Sequence, residues 1–354
     1  MSQDWIHADC RQPSSEHRER ARARQDELTK PQGSLGRIET LAVELAALQH
    51  RDRPVAARVP VIVFAGDHGV VAQGVSAFPS EVTVQMLHNF ANGGAAISVL
   101  ARELGLPLRV VDAGTRATHA IAGVQADKPC HGTRDFSVEA AMSEDELGHA
   151  LAAGRRAIEA AEAADLFVFG EMGIGNTTAA SALASALADL PLDELVGAGT
   201  GLQGDRIAHK QQVIADALAL HRPHIAGSGD PARETLRRVG GLEIAAMAGA
   251  MIAAAQRGVP VLVDGFIVSA AALAAVGLQP QVRPWLLFSH QSAERGHARV
   301  LAALDARPLL QLDLRLGEGS GAALALPLLR LACALHAGMA TFAEAAVSGR
   351  DDAP

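Results

Sequence analysis

Tyrosine is absent from this chain, and aromatic residues make up only 3% of its 354 positions. The interior must therefore be built from Ala, Leu, Val and Gly, side chains that favour helices packed closely on a parallel sheet. Hydrophobic residues reach 49%, enough to bury a sizeable core, and the length allows one large domain or two modest ones. Net positive charge is also missing. The formal charge is −8 at pH 7, which argues against nucleic acid as a partner. A single anionic group held by backbone N–H groups and one or two cations is compatible with that balance. Cysteine is scarce and odd in number: Cys10, Cys130 and Cys333 form no CxxC pair, no complete disulfide framework is possible, and a reducing cytoplasm is expected. The polar, Arg-rich N-terminus lacks the apolar segment of a signal peptide. The longest apolar runs are broken by Gly, Pro or charge short of membrane-spanning length, so no membrane is expected.

What is present is a rhythm of short apolar runs. Val59 to Ala65, Leu108 to Ala113, Leu166 to Gly170, Val259 to Val263 and Trp285 to Ser289 read as strands, most of them separated by Ala-rich helical stretches. Two-sided apolar strands alternating with helices predict an α/β fold with a parallel, doubly wound sheet. Residues 14 to 29 read as a charged helix, 37 to 49 as an amphipathic one, and about 322 to 347 as helical again. The last four residues look frayed. Several strands run into polar or glycine clusters: Gly66-Asp67-His68-Gly69, Asp112-Ala113-Gly114, Gly170-Glu171-Met172-Gly173, Asp264-Gly265 and Ser289-His290. In an open parallel sheet these tips share the carboxyl edge, where ligands bind, so they are expected to converge on one pocket.

Each cluster has a chemical and a plain reading. Gly170 to Thr178 ends a strand and opens an Ala-rich helix, with Asn176 or a threonine as a suitable N-cap. It reads either as a phosphate cradle of backbone N–H groups or as a tight turn with an ordinary cap. It is neither a P-loop nor a dinucleotide fingerprint, which removes the support for a nicotinamide-dependent dehydrogenase. Gly197 to Gly201 is a second glycine turn; Lys210 follows as a possible anion partner or a solvated surface lysine. Asp67-His68 invites a metal or triad, but no partner has metal-like spacing and there is no GxSxG elbow. The better reading is an Asp-His pair that pins its loop by hydrogen bonds. Asn92-Gly93-Gly94-Ala95 opens another helix as a candidate backbone nest. An alternating, strand-like run from Leu312 ends at Leu316. Beyond it Glu318, flanked by Gly317 and Gly319, reads as a general base that a ligand can approach closely, or as a helix-start acid.

Taken together, these segments resemble the nicotinate-nucleotide–dimethylbenzimidazole phosphoribosyltransferases. The resemblance is carried by Lys30-Pro31-Gln32-Gly33-Ser34-Leu35-Gly36-Arg37, Asp67-His68-Gly69-Val70, Gly170-Glu171-Met172-Gly173 with Asn176-Thr177-Thr178, Gly240-Gly241 with Met247-Ala248-Gly249, Asp264-Gly265-Phe266, Ser289-His290 with Ser292-Ala293-Glu294, and Arg315 to Leu324. It implies a Rossmann-like large domain (residues 50–315), a small helical domain from both termini (1–49 plus 316–354), and a homodimer. It implies transfer of the phosphoribosyl group of nicotinate mononucleotide to a benzimidazole, for the lower ligand of cobalamin, with no cofactor and no metal. The implied catalytic residues are Glu318, as base, and Glu171, as negative charge near the reacting ribose. The implied phosphate and ribose contacts are Gly173, Gly175, Asn176, Thr177, Thr178, Gly201, Lys210, Ser289 and Gly317. Phe78, Met86 and Leu316 are expected around the acceptor. The acceptor itself stays open between benzimidazoles, adenine and phenolics, and a non-catalytic base-binding homologue is the remaining alternative.

Overall fold

Six parallel strands form the central sheet of this computed structural model, which describes residues 4–199 and 201–348. They are β1 (Val61–Gly66), β2 (Leu108–Gly114), β3 (Val124–Ala126), β4 (Phe167–Met172), β5 (Val261–Val263) and β6 (Leu286–Phe288), in the order β3-β2-β1-β4-β5-β6. The order reverses direction between β1 and β4, which places a crevice at their carboxyl ends. Their register sets Phe64 beside Glu171 and Ala65 beside Met172, so the tip of β4 enters that crevice.

The period of two in the strands explains the two-faced core. Ile62, Phe64, Val111, Ala113, Phe167, Phe169, Val261 and Val263 point to one face, under the helices Glu144–Glu159, Leu242–Arg257 and Phe266–Leu278. Val61, Val63, Ala65, Val110, Val168 and Leu262 point to the other, under Glu81–Ala91, Ala96–Leu104 and Ser320–Gly338. Phe64, Phe167 and Phe169 form the aromatic part of the first face, with Phe169 6.1 Å from Phe64 and 6.0 Å from Phe167 between ring centroids. Elsewhere small residues let backbones touch. A Cβ on Gly154 would lie 1.8 Å from the Ala246 carbonyl, and one on Gly249 would lie 2.1 Å from that of Leu151. The helices Glu144–Glu159 and Leu242–Arg257 therefore pack main chain to main chain.

The terminal helices Ser15–Glu27, Arg37–Gln49 and Ser320–Gly338 come together, tied by Arg24 Nε to the His336 carbonyl at 2.8 Å. Several expectations change. The last helix stops at Gly338 instead of running to residue 347; Thr341 bridges to Leu28, and residues 342–346 form turns. It is long and apolar enough to cross a membrane by length and composition, contrary to expectation, yet half of it is buried, with Ala322, Ala323, Leu326 and Leu329 in the core. The run ending at Leu316 is not a strand. Only Leu310–Gln311 pairs, with His290–Gln291, because Asp313 turns into the left-handed region (φ 54°) and Leu312 and Leu316 are exposed. The edge strand β3 is a finding that its short, half-polar sequence does not announce. The expected fraying of residues 351–354 lies outside the described residues. The three cysteines are free thiols, each pushed above its ordinary pKa mainly by burial.

A side chain at position 154 has no space to enter. Gly154→Val is expected to destabilise the protein by about 3 kcal/mol, the upper part of the range for overpacked cores. The check is urea denaturation, with a lower midpoint at unchanged slope.

Candidate functional site

The crevice at β1 and β4 is a cavity of about 390 Å³. Its polar lining includes Glu171, Asn176, Thr177, His290, Ser292, Glu294, Arg315 and Glu318, and its apolar lining includes Phe78, Val82, Met86, Met172, Phe266 and Leu316.

Glu318 reaches it by an unusual backbone. Gly317, Glu318 and Gly319 all have positive φ, at 88°, 65° and 87°. This turn presses on the tip of β4: a Cβ on Gly170 would lie 2.1 Å from the Glu318 carbonyl oxygen, and one on Gly317 would lie 2.1 Å from Glu171 Oε1. Glycine is required at 317 by both conformation and space. The turn is anchored from β5 as well, because Asp264 accepts the N–H groups of Gly319 at 3.1 Å and Ala322 at 2.8 Å. Glu318 is only 6% exposed, and its Oε2 has no hydrogen-bond partner. Burial raises its pKa, with Asp264 adding to the rise and the Ile97 N–H opposing it. Ile97 lies in the first turn of the helix that follows Asn92-Gly93-Gly94-Ala95.

Glu171 is buried and pushed up to about 8, first by desolvation and then by the charges of Asp264 and Glu243. Burial beside other acids thus favours its neutral form, against which the negative charge expected near the ribose would have to be held. It also helps to hold the site together. One oxygen accepts from Asn176 Nδ2, and the other faces the Glu318 N–H at 3.4 Å.

Asn176 does not cap its helix. The N-cap of the helix Asn176–Ala188 is Gly175, with φ 96° and no side-chain cap. Asn176 N–H bonds the Gly173 carbonyl at 3.0 Å and Thr178 N–H that of Gly175 at 2.9 Å, while the Thr177 N–H meets no acceptor among the described residues. Beside it, Lys210 Nζ donates to Thr177 Oγ1 at 2.8 Å. Lys210 is buried and lowered to about 8 by desolvation, with Glu294 opposing. Gly199 (φ 52°) makes room, since a Cβ there would lie 2.9 Å from Thr177 Oγ1 and 3.2 Å from Lys210 Nζ. A free N–H at a helix start, a hydroxyl and an ammonium are groups of the kind that suit an anion.

The glycine loop rests on a buried pair. His68 Nε2 lies 2.7 Å from Glu243 Oε1, and both side chains are fully enclosed. A Cβ on Gly241 would meet His68 Cε1 at 2.3 Å, and one on Gly175 would meet His68 Cβ at 3.1 Å. Asp67 accepts the Arg116 N–H at 2.8 Å. The loop-pinning reading of Asp67-His68 holds.

Of the expected contacts, Glu171, Gly173, Asn176, Thr177, Gly317, Glu318, Phe78, Met86 and Leu316 line the cavity. Gly175 and Lys210 stand directly behind it. Thr178, Gly201 and Ser289 do not line it: Thr178 is buried in its helix, Gly201 faces open space, and the buried Ser289 hydroxyl lies 3.0 Å from His290 Nδ1. Thr200, in the same turn as Gly201, lies outside the described residues. His290 takes the place expected for Ser289. Its ring fits because Gly321 has no side chain, where a Cβ would lie 2.2 Å from Cε1. Glu294, Arg315 and Phe266 were also unassigned, although each sits in a segment that carried the resemblance.

The raised Glu171 pKa has a thermodynamic consequence. Between about 4.5 and 8 the folded state holds a proton that the unfolded state has released, so this group makes stability fall as pH rises through that window. Glu171→Gln is expected to flatten the decline; thermal melts at pH 5 and pH 8 check it, and an unchanged difference contradicts the assignment.

The profile of a family described as Phosphoribosyltransferase matches residues 10–347. A nicotinate-nucleotide–dimethylbenzimidazole phosphoribosyltransferase from Bradyrhizobium sp. (strain ORS 278) is 64% identical over 99% of this chain and 100% of its own. One from Pseudomonas aeruginosa (strain PAO1) is 60% identical, covering 99% of both chains. A crystal structure of the enzyme so named from Thermus thermophilus superposes with a TM-score of 0.89 at 45% identity, over 95% of this chain and 100% of that one. On sequence and fold alike, this chain belongs to the nicotinate-nucleotide–dimethylbenzimidazole phosphoribosyltransferase family.

Proposed function

We propose that the chain transfers the phosphoribosyl group of nicotinate mononucleotide to dimethylbenzimidazole or a related flat base, releasing nicotinate and forming the α-ribosyl phosphate of that base, a step of cobalamin lower-ligand assembly. The observation that carries the reading is Glu318: a buried, unpartnered carboxyl oxygen on the same cavity as the Thr177–Lys210 anion site.

The chemistry follows from the charges. The donor's ring nitrogen is a pyridinium, so breaking its bond to the anomeric carbon releases a neutral nitrogen and needs no acid. The acceptor attacks through the lone pair of one ring nitrogen and must lose the proton from the other. Glu318 accepts that proton, and its raised pKa makes it a stronger base than an exposed carboxylate. The Thr177 N–H, Thr177 Oγ1 and Lys210 hold the donor phosphate. Phe78, Met86 and Leu316 form the apolar wall for the acceptor, with Val82 beside them. Glu171, neutral, keeps Asn176 and the 317–319 turn in place. Positioning of the two rings supplies much of the remaining acceleration.

We further propose a cytoplasmic homodimer. Leu324, Leu331 and Leu335 are exposed on one face of the helix Ser320–Gly338, an apolar stripe suited to a second copy.

Glu318→Gln is expected to retain donor binding and lose roughly 10²–10⁴-fold in kcat. Nicotinate release followed by chromatography, with and without base, tests both points. Base-dependent release supports the transferase; release without base indicates a hydrolase, and a variant with unaltered kcat removes Glu318 from the mechanism. Sedimentation velocity tests the dimer: a species at twice 36.7 kDa is expected, and a monomer at micromolar concentration overturns it.

A further inference from the structure

The seam between the N-terminal helices and the β6 edge of the sheet encloses a second cavity, of about 300 Å³, which shares no lining residue with the crevice above. Four arginines line it, Arg18 and Arg37 from the helices and Arg283 and Arg307 from the β6 side, against two acids, Glu44 and Asp305. Its floor is apolar, made by Leu41, Leu48, Leu286 and Phe288, and the Arg283 guanidinium lies 5.2 Å from the Phe288 ring centroid.

None of the four guanidinium groups has a carboxylate within ion-pair distance among the described residues, although Glu44 acts on Arg37, and Asp305 and Glu44 act on Arg283, at longer range. Arg37 donates to the carbonyls of Pro308 and, at 2.6 Å, Arg307. Arg283 donates to those of Leu304 and, at 2.7 Å, Asp305. Carbonyl contacts fix the guanidinium planes but do not cancel charge. Arg18 Nε is enclosed with no partner at all. The Arg307 guanidinium likewise makes no hydrogen bond or ion pair among the described residues. Burial holds Arg37 and Arg283 below the ordinary arginine range, with Arg307 lowering Arg37 further. Glu44 is itself raised by burial, although all of Arg18, Arg37, Arg283 and Arg307 pull it down. The cavity is left with an excess of two positive charges.

We propose that this seam binds a small phosphoryl dianion, inorganic phosphate or a compact phosphomonoester, gripped by Arg18 and Arg307 over the fixed guanidinium groups of Arg37 and Arg283. The charge excess matches a phosphoryl group, which is close to dianionic at neutral pH. Planar guanidinium forks suit its oxygens better than point charges do. The volume lies at the small end of ligand pockets, which start at about 300 Å³, and excludes a dinucleotide. A ligand there would tie the N-terminal helices to the sheet edge.

The test is equilibrium dialysis of the full chain with radiolabelled inorganic phosphate at low salt. Phosphate also has the Thr177–Lys210 site open to it, so wild type is expected to bind two per chain. Arg18→Met/Arg307→Met is expected to lose one, or to weaken it at least about tenfold, with transferase kcat unchanged. Lys210→Met is expected to keep the seam site and lose the other. Arg307 is exposed and its side chain holds up no other group, so Arg307→Met alone serves should the double variant fold poorly. Equal stoichiometry and affinity in wild type and the arginine variants overturn the proposal. So does loss of all binding in Lys210→Met. A protein without transferase activity that still loses phosphate binding on arginine substitution separates this inference from the reading of the crevice.

Discussion

Gly170 at the tip of β4 touches the main chain of the Gly317–Gly319 turn so closely that no side chain fits between them. Everything chemical in the crevice depends on this contact. It brings a segment from near the end of the chain onto the middle of the sheet and fixes Glu318 where a non-glycine residue is rarely found. A left-handed backbone at such a residue costs about 1 kcal/mol or more. Several neighbours jointly impose it: Asp264 holds the N–H groups of Gly319 and Ala322, Glu171 faces the Glu318 N–H, and the helix Ser320–Gly338 begins immediately after. Relaxing any one of them would let the carboxyl swing away from the cavity.

The same crowding governs the electrostatics. Glu171, Asp264, Glu318 and Glu243 gather within the tips of β1, β4 and β5, and burial pushes the first three upward. Glu243 has His68 as a close counter-group at 2.7 Å, and Asp264 has His290 at 3.9 Å. Glu171 and Glu318 are almost equally buried, and both line the cavity. What separates them is their partners: Glu171 is held by Asn176 and faces the Glu318 N–H, whereas Glu318 Oε2 has no hydrogen-bond partner.

Much of this was legible in the sequence, for definable reasons. Strand positions followed from two-sided apolar runs because a parallel sheet buried on both faces must be written that way, and convergence of the strand tips followed from topology. The glycines around Glu318 marked a close backbone approach. What failed was what depends on three-dimensional neighbours. Asn176 is a good N-cap by type, but the left-handed Gly175 takes the cap position and leaves Asn176 in the first helical turn. Nothing local to Glu171 announces Asp264 and Glu243 beside it, which raise its pKa together with burial. Leu312 to Leu316 alternated like a strand, yet Asp313 turns the backbone and no neighbouring strand pairs with it. His290 was hidden next to Ser289 because the face of a two-residue strand is set by the groove left by Gly321 and not by any longer pattern.

The two halves of the cavity differ in how tightly they are held. Glu318, Asn176 and Lys210 are at least nine-tenths buried and interlocked by hydrogen bonds or backbone contact, whereas Phe78 is 50% and Leu316 60% exposed on segments without regular structure. A change of size or polarity at Phe78 alters the acceptor wall without touching the 317–319 turn, the Lys210–Thr177 contact or the His68–Glu243 pair beneath them. Leu316 is bound more closely to the chemistry, since it directly precedes Gly317, but its side chain makes none of the contacts that fix Glu318. On the proposed reading, donor binding and proton transfer are built into the rigid sheet edge, and choice of acceptor is left to side chains the fold does not need. Selectivity among flat bases can then vary between related chains while the reaction stays the same.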